Sequence, residues 1–302
     1  MDWVLLTIAA IFLISILVGI YRGALRIAVS LVTTVLTLLL VFFATPYVSD
    51  VIEKKTPVDD MVQEYIVKGV TQKVMPNESA PNSLNEENVK RVLKAAGVSE
   101  ETLEEHGITV EDIVNGTIND KELAQYGISS RLLTGLRNGA GDVVAEEVEQ
   151  ADVPEELQDE VIEEAGLPAV FEELLQKNNK DSVYQTLGAE TFIQYAATYL
   201  AKLVVHILAF LGTFIFASII IRAIVFALNI VTELPGVGII NRLAGGALGA
   251  MGALVIVWIL FIIITLLYTT QIGQEIYEVI QSNDFTRFIY EYNPILMLAT
   301  KI

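Results

Sequence analysis

Four hydroxyl side chains share one face of the second apolar segment of the chain. Ser30, Thr33, Thr34 and Thr37 follow one another at intervals of three and four residues, the spacing that places side chains on one side of an α-helix. A hydroxyl group in hydrocarbon needs a hydrogen-bond partner, which can be a neighbouring helix, a backbone carbonyl or water. The face therefore predicts either a packing contact inside a helical bundle or a hydrated polar pathway.

Other residues that carry out chemistry are few or scattered. The chain has no cysteine, which excludes disulfides, thiol catalysis and cysteine-based metal sites. Its two histidines, His106 and His206, lie far apart in the sequence, and no motif for nucleophilic hydrolysis, zinc proteolysis or phosphate binding is present. We therefore predict a protein that is not an enzyme and has no cofactor and no metal site.

The charges divide the chain into two compositions. Residues 45–195 hold 31 acidic and 12 basic residues, a net charge of −19, whereas the rest holds 6 acidic and 7 basic residues, a net charge of +1. No basic patch is present, so we expect no nucleic-acid partner, because phosphate contacts require clustered Lys and Arg. The composition predicts an acidic insert within a near-neutral apolar chain, whose natural partner is a lipid bilayer.

Four charge-free stretches are long enough to cross a bilayer, which requires about 20 apolar residues. They predict transmembrane helices at about residues 3–21, 25–45, 200–222 and 243–268. The first stretch runs on into a second span, which favours a membrane helix over a cleaved signal peptide. The predicted fold class is all-α: a polytopic membrane protein with four transmembrane helices and an extracytoplasmic helical domain inserted between spans two and three.

Positive charge at the first hairpin turn predicts the orientation. Arg22 and Arg26 stand there without an acidic neighbour, and cytoplasmic loops carry an excess of Lys and Arg. Both termini and the insert are therefore expected outside the cytoplasm. The expected regions are a transmembrane hairpin over 1–49, an acidic extracytoplasmic helical domain over 50–195, a second hairpin over 196–270 with a cytoplasmic turn at 231–242, and an interfacial amphipathic helix over 271–302.

The insert repeats a short pattern in which a glycine is followed by an apolar residue and a residue that starts a helix. The pattern occurs at Gly97-Val98-Ser99, Gly107-Ile108-Thr109, Gly127-Ile128-Ser129 and Gly166-Leu167-Pro168. Each copy is typical of a helix that ends at a glycine and is followed at once by another helix. Capping-box spacings that begin at Ser83 and Asn119 agree with this, and residues 75–82 have the composition of a linker. We predict a bundle of short helices.

The fourth span begins with a run of small residues. Gly245 and Gly249 have the spacing that lets two helix backbones approach closely. Close packing against another span or against a second copy of the chain follows, which makes a homo-oligomer a candidate assembly.

Two short motifs at the ends of the spans resemble those of the colicin V production protein family, CvpA. The first is the run Tyr21-Arg22-Gly23-Ala24-Leu25-Arg26, and the second extends from Asn241 and Arg242 through Gly245 and Gly249 to Gly252. The resemblance covers residues 1–47 and 196–290, and Asp2 supplies the acid that is usual beside the first span. The sequence departs from the family at Met251, where a basic residue is common, and in its long acidic insert.

The resemblance implies a bacterial cytoplasmic-membrane protein that is accessory to colicin V-like toxin production or export and to envelope maintenance. It implies an envelope or secretion protein as a partner, and it supplies no catalytic residue. Two alternatives remain open from the residues themselves. The hydroxyl face could line a small oligomeric channel or transporter, and the acidic insert could sense cations or pH outside the cytoplasm.

Overall fold

The computed structural model describes residues 3–57, 61–62, 86–118, 123, 128–138, 141–151, 153–227 and 238–301. They belong to two compact units, one formed by Met1–Val58 with Leu203–Ile302 and the other by Asp59–Lys202. Several sequence predictions lie outside the described residues: Asp2, the linker 75–82, the caps at Ser83 and Asn119, Gly127, and residues 231–237 of the expected turn.

Regular structure in the described residues is helical throughout. In chain order the helices are α1 (Trp3–Arg22), α2 (Ala24–Lys55), α3 (Glu86–Ala95), α4 (Glu100–Glu105), α5 (Val110–Asn115), α6 (Ser130–Asn138), α7 (Gly141–Glu149), α8 (Glu155–Glu164), α9 (Ala169–Asn178), α10 (Asp181–Leu187), α11 (Phe192–Ala227), α12 (Gly238–Leu266), α13 (Gln271–Ser282), α14 (Asp284–Glu291) and α15 (Pro294–Ala299).

Four of these helices, α1, α2, α11 and α12, are long and apolar enough to cross a membrane. The all-α, four-span fold class predicted from the sequence is therefore confirmed. All four helices extend past their predicted spans: α1 ends at Arg22, α2 continues through Pro46 to Lys55, and α11 already begins at Phe192. The helix α12 begins at Gly238, so residues 238–242 of the expected cytoplasmic turn are helical. The predicted spans ended at the first charged residues of the sequence. The helices continue beyond those residues because backbone hydrogen bonding in a helix does not depend on the bilayer.

The first unit is organised around α12. This helix packs along α1 and also contacts α2 and the C-terminal helices. The buried face of α12 runs from Gly245 and Gly249 through Ala253 and Val257 to Phe261, so it changes from bare backbone at one end to large side chains at the other. Different partners therefore fit against its two ends.

The C-terminal segment forms three short helices where the sequence predicted a single amphipathic helix. Asn283 and Asn293 interrupt it, because each side-chain amide oxygen accepts two backbone N–H groups of the helix that follows. Pro294 occupies the first turn of α15, a position where a missing N–H group costs nothing. The asparagine caps and Pro294 are both present in the sequence, and they end each helix although the apolar pattern continues through them.

Three polar contacts fasten this segment to α12. Trp258 Nε1 donates to the carbonyl of Ile289 at 3.1 Å, and Asn293 Nδ2 donates to the carbonyl of Trp258 at 2.9 Å. The hydroxyl groups of Thr265 and Tyr290 lie 2.8 Å apart. Because Asn293 and Tyr290 are buried, these hydrogen bonds are shielded from water and fix the segment in place along the helix.

The second unit has a core of aliphatic side chains contributed by its short helices. The core gathers Val89, Leu93, Val98, Leu103, Ile108, Val110, Ile113, Leu123, Ile128 and Leu133. Glycine turns connect the helices, and the apolar residue after the turn folds back, as where Ile108 N donates to Leu103 O at 2.9 Å. Thr109 and Asp112 then form a capping box that starts α5.

A polar network holds the later helices of this unit to the first turns of α11. The hydroxyl of Tyr195 donates to Leu175 O at 2.7 Å, and Asn178 Nδ2 donates to the hydroxyl of Tyr199 at 2.9 Å. The ring of Tyr184 stacks on Tyr195 with centroids 4.7 Å apart. The start of the third membrane helix is thereby part of the folded acidic unit.

Candidate helix-packing site

The small residues predicted to allow close packing lie against α1. A Cβ atom on Gly245 would meet the carbonyl oxygen of Gly19 and would stand 2.9 Å from Ala24 N. A Cβ atom on Gly249 would meet the carbonyl of Ser15, with its carbon at 3.0 Å and Ile16 Cα at 3.2 Å. Real Cβ atoms essentially never approach backbone closer than 3.0 Å, so only glycine fits at either position without moving a helix.

The contact is reciprocal. A Cβ atom on Gly19 would meet the carbonyl oxygen of Gly245 and would stand 3.2 Å from Gly249 Cα. The partner surface on α1 is a second row of small residues, Ser15, Gly19 and Gly23, spaced by four. Sequence analysis missed this row although its spacing matches that of Gly245 and Gly249. We call the contact between the two rows the seam.

Helix contacts of this kind are stabilised by dispersion and by weak Cα–H···O interactions between backbones. The hydrophobic effect adds little between two helices in lipid, because the lipid tails that leave the surface are themselves apolar. Backbone proximity is therefore the main source of stability at the seam, and its loss is not offset by burying a larger side chain.

The seam ends at a corner, defined by Gly23, Leu25 and Asn241, where α1 turns into α2. Gly23 has φ +80°, in the left-handed region that side-chain-bearing residues rarely adopt. The side chain of Asn241 fills the space beside it, and its Oδ1 accepts the backbone N–H of Leu25 at 3.3 Å. Asn241, on α12, thus caps the start of α2, where Gly23 has no side chain to do so.

Three arginines predicted as motif residues stand next to the corner residues in the sequence. Arg22 precedes Gly23, Arg26 follows Leu25, and Arg242 follows Asn241. All three are exposed, and none of the ion pairs between described residues includes them. Their guanidinium groups are suited to the phosphate groups of a bilayer surface.

Gly252, also a predicted motif residue, is not part of the seam. A Cβ atom there would have no heavy atom within 4 Å. The neighbouring Met251 is exposed. The structure therefore brings together Gly23, Asn241, Gly245 and Gly249 and leaves Gly252 apart.

Three of the four hydroxyls of the face predicted on α2 donate hydrogen bonds within their own helix. Thr33 Oγ1 donates to Val29 O at 2.7 Å, Thr34 to Ser30 O at 2.9 Å, and Thr37 to Thr33 O at 2.8 Å. Thr37 is buried, whereas Ser30 is exposed. In these bonds the three threonine hydroxyls donate to backbone carbonyls of their own helix.

Charged and metal-binding groups in the described part of the acidic unit form no cation centre. Its residues gather no group of three or more His, Asp and Glu side chains that could hold a metal ion. Guanidinium nitrogens of Arg131 lie 3.3 Å from a carboxylate oxygen of Glu146 and 3.3 Å from one of Glu147. The Nζ atom of Lys94 lies 2.6 Å from a carboxylate oxygen of Glu160. These acidic helix faces therefore carry ion pairs with the basic residues of neighbouring helices.

One comparison with known proteins identifies a family. Residues 183–293 match the family described as colicin V production protein, which confirms the resemblance predicted for residues 196–290. The matched residues include α11, α12, α13 and α14, and they include neither the hairpin of α1 and α2 nor α15. No match is found among curated proteins or among solved structures.

Proposed function

We propose, because residues 183–293 match the colicin V production protein family, that this chain is a non-catalytic membrane protein accessory to the production or export of a colicin V-like toxin and to envelope maintenance. The family match is the observation that carries the proposal. The matched range includes Asn241 of the corner and Gly245 and Gly249 of the seam.

The roles of the motif residues support an assembly function without catalysis. Gly23, Gly245 and Gly249 bring backbones together, and Asn241 caps a helix. None of these groups is a nucleophile or a general base under ordinary conditions. The corner therefore holds α1, α2 and α12 in a fixed arrangement, and we infer that function depends on this arrangement.

The acidic unit is the region we assign to protein contacts. It folds around its own core and incorporates the start of α11. We propose that it lies outside the cytoplasm of a bacterial plasma membrane, with the corner and its arginines on the cytoplasmic side, since basic residues favour that side. An envelope or secretion protein would bind there, and the membrane helices could also pair with a second copy.

The toxin role can be tested in a host that exports a colicin V-like toxin and lacks its own family member. Expression of this chain should restore toxin release, and Gly252→Ala should restore it equally, because a methyl group fits there. Gly249→Leu should fail although the protein is still made. Normal release from the host without this chain, or no release with it, would contradict the proposed role.

The orientation has a separate test, because the chain has no cysteine to remove. Asn138→Cys should react with an impermeant maleimide in intact cells, and Ile239→Cys should react only after the membrane is opened. The reverse pattern would place the acidic unit in the cytoplasm. Crosslinking through the cysteine at position 138 should then recover one defined envelope protein, and recovery of this chain alone would contradict an envelope partner.

A channel or transporter built on the hydroxyl face is the less favoured function, because those hydroxyls donate to their own helix. It predicts solute flux through sealed vesicles that contain the purified chain, and a change of that flux in Thr33→Val or Thr37→Val. Vesicles without flux would remove this alternative.

A further inference from the structure

The corner hydrogen bond sets a common origin for measuring height along two membrane helices. Leu25 N and Asn241 Oδ1 join the starts of α2 and α12, which also contact each other. Phe42 follows Leu25 by 17 residues, and Trp258 follows Asn241 by 17 residues. At about 1.5 Å per residue, both lie about 26 Å from the corner along their helices.

The last helix of the chain is attached at both of these points. Asn293, which caps the start of α15, donates to the carbonyl of Trp258 at 2.9 Å. Lys301, just after α15, places its Nζ atom 5.7 Å from the centre of the Phe42 ring. Because the two attachment points lie equally far from the corner along helices that contact each other, α15 runs from α12 towards α2 and across these helices.

That height falls inside the far boundary of the bilayer. The hydrocarbon core is about 30 Å thick, and the arginines beside the corner belong at the near boundary. A level about 26 Å from the corner is therefore on the hydrocarbon side of the far boundary. The sequence of α15, Pro-Ile-Leu-Met-Leu-Ala, has no charge or polar side chain, which suits such a level. The long side chain of Lys301, just after α15, can bring its charged amine to the nearby water boundary.

The preceding helix, α14, has three faces that fit the same location. One face, which includes Ile289 and Tyr290, is buried against α12. A second carries Asp284, Arg287 and Glu291, and a third carries Phe285, Phe288 and Tyr292. A helix that lies in the interface beside a protein needs one face for the protein, one for water and one for lipid.

We propose that α14 and α15 are embedded in the leaflet opposite the corner and that four side chains form a surface that binds lipid acyl chains. These are Phe285, Phe288, Tyr292 and Met297, which are between 52% and 68% exposed. The occupant is lipid, because the height of α15 places this surface level with the exposed apolar residues of α2, such as Phe43. Aromatic side chains favour this boundary.

Nitroxide labels at two exposed positions of the full chain test the proposal. Met297→Cys reports on the lipid face, and Glu291→Cys, on the charged face of α14, is the matched control. Each labelled protein is placed in vesicles of phosphatidylcholine and phosphatidylglycerol, and collisions are measured with oxygen, which concentrates in hydrocarbon, and with a water-soluble nickel chelate. Both variants should keep the parent's unfolding temperature, and Phe288→Cys provides a second lipid-face position.

At positions 297 and 288 the label should meet oxygen more often than the nickel chelate, and the order should reverse at position 291. Frequent collisions with nickel at 297 and 288 would place the surface in water. An immobilised label shielded from both reagents would show that protein covers the surface, whether a second copy or another chain. Either outcome would overturn the proposal, and neither bears on the toxin role.

Discussion

The seam of the membrane unit and the core of the acidic unit are both apolar contacts, but they are built in opposite ways. At the seam, Gly19, Gly245 and Gly249 leave no side chain between two backbones. In the acidic unit, side chains such as Ile113 and Leu133 fill the space between the short helices. The seam therefore cannot tolerate added atoms, whereas the core is sensitive to removed ones.

This difference has a physical origin. A carbonyl group at the seam belongs to a continuous helix and cannot move away from a new methyl group without moving the helix. A side chain removed from the core leaves a cavity, and the short helices around it can relax partly into the space. Enlarging a residue should consequently destabilise the seam most, and truncating a residue should destabilise the core of the acidic unit.

The largest effect is expected at the seam. Gly249→Leu should destabilise the packing of α1 on α12 by about 3 kcal/mol or more, because overpacking against backbone cannot be relieved by rotamer changes. Gly252→Leu is the matched control, since nothing lies within 4 Å of that position. Circular dichroism during unfolding in detergent provides the measurement, and equal stability of the two variants would refute the seam.

The core of the acidic unit should give the next effect. Leu133→Ala should destabilise that unit by about 2–3 kcal/mol through lost contacts and a cavity, while Thr134→Ala, on the exposed side of the same helix, should change little. Hydrogen exchange of the peptides around α3 to α6 measures this locally. If hydrogen exchange in Leu133→Ala rose equally in α1 and α12, the acidic unit and the seam would not be destabilised separately.

These two regions also differ in how far the sequence predicts them. Glycine spacing indicates a close contact at Gly245 and Gly249, but it does not identify the partner helix, because several helices carry small residues. Ser15, Gly19 and Gly23 supply the matching row, and the pairing became evident only in three dimensions. In the acidic unit, turns and caps are local, so Gly107 and Thr109 reveal the helix boundary directly.

The corner cap should have an intermediate effect. Asn241→Ala should destabilise the start of α2 by about 1 kcal/mol, as expected for the loss of a capping side chain. Residue-resolved hydrogen exchange should show faster exchange of the Leu25 amide, and Arg242→Ala, an exposed neighbour, should leave that amide protected. Unchanged protection in Asn241→Ala would mean that Leu25 does not depend on the cap.

The capping box of Thr109 and Asp112 in the acidic unit is a local cap, unlike the long-range cap by Asn241. Hydrogen bonds from Thr109 lower the pKa of the Asp112 carboxyl, so the stabilisation is present at neutral pH and is lost as pH falls through that lowered pKa. Thr109→Ala should return the pKa of Asp112 toward its ordinary value and weaken the start of α5, because the capping side chain is lost. Carboxyl NMR titration measures the shift, and an unchanged titration would contradict the capping box.

The smallest effect is expected on the hydroxyl face of α2. Thr33→Val replaces a hydroxyl that donates to Val29 O by a methyl group of similar size, so stability should change by less than about 0.5 kcal/mol, as for a substitution that leaves few groups unpaired. Unfolding temperature in detergent is the readout. A large loss would show that the hydroxyl has an essential partner on another helix.

Two further features show why sequence patterns were incomplete. The hydroxyl spacing of Ser30 to Thr37 predicts a shared face, but backbone carbonyls that accept its protons are present in every helix, so the pattern alone cannot distinguish packing from a polar pathway. The attachment of Asn293 to Trp258 joins residues separated by 35 positions. Such long-range pairs follow from tertiary folding and leave no periodic signal.

The seam is a contact between two helices of a single chain. The direct measurement is the unfolding temperature of the full chain in detergent over a wide range of chain-to-detergent ratios. A contact within one chain predicts that Gly249→Leu lowers the unfolding temperature by the same amount at every ratio, while Gly252→Leu keeps the parent's value at each ratio. A temperature that rises with concentration in the parent and loses this dependence in Gly249→Leu would place the glycine contact between two copies and contradict the account.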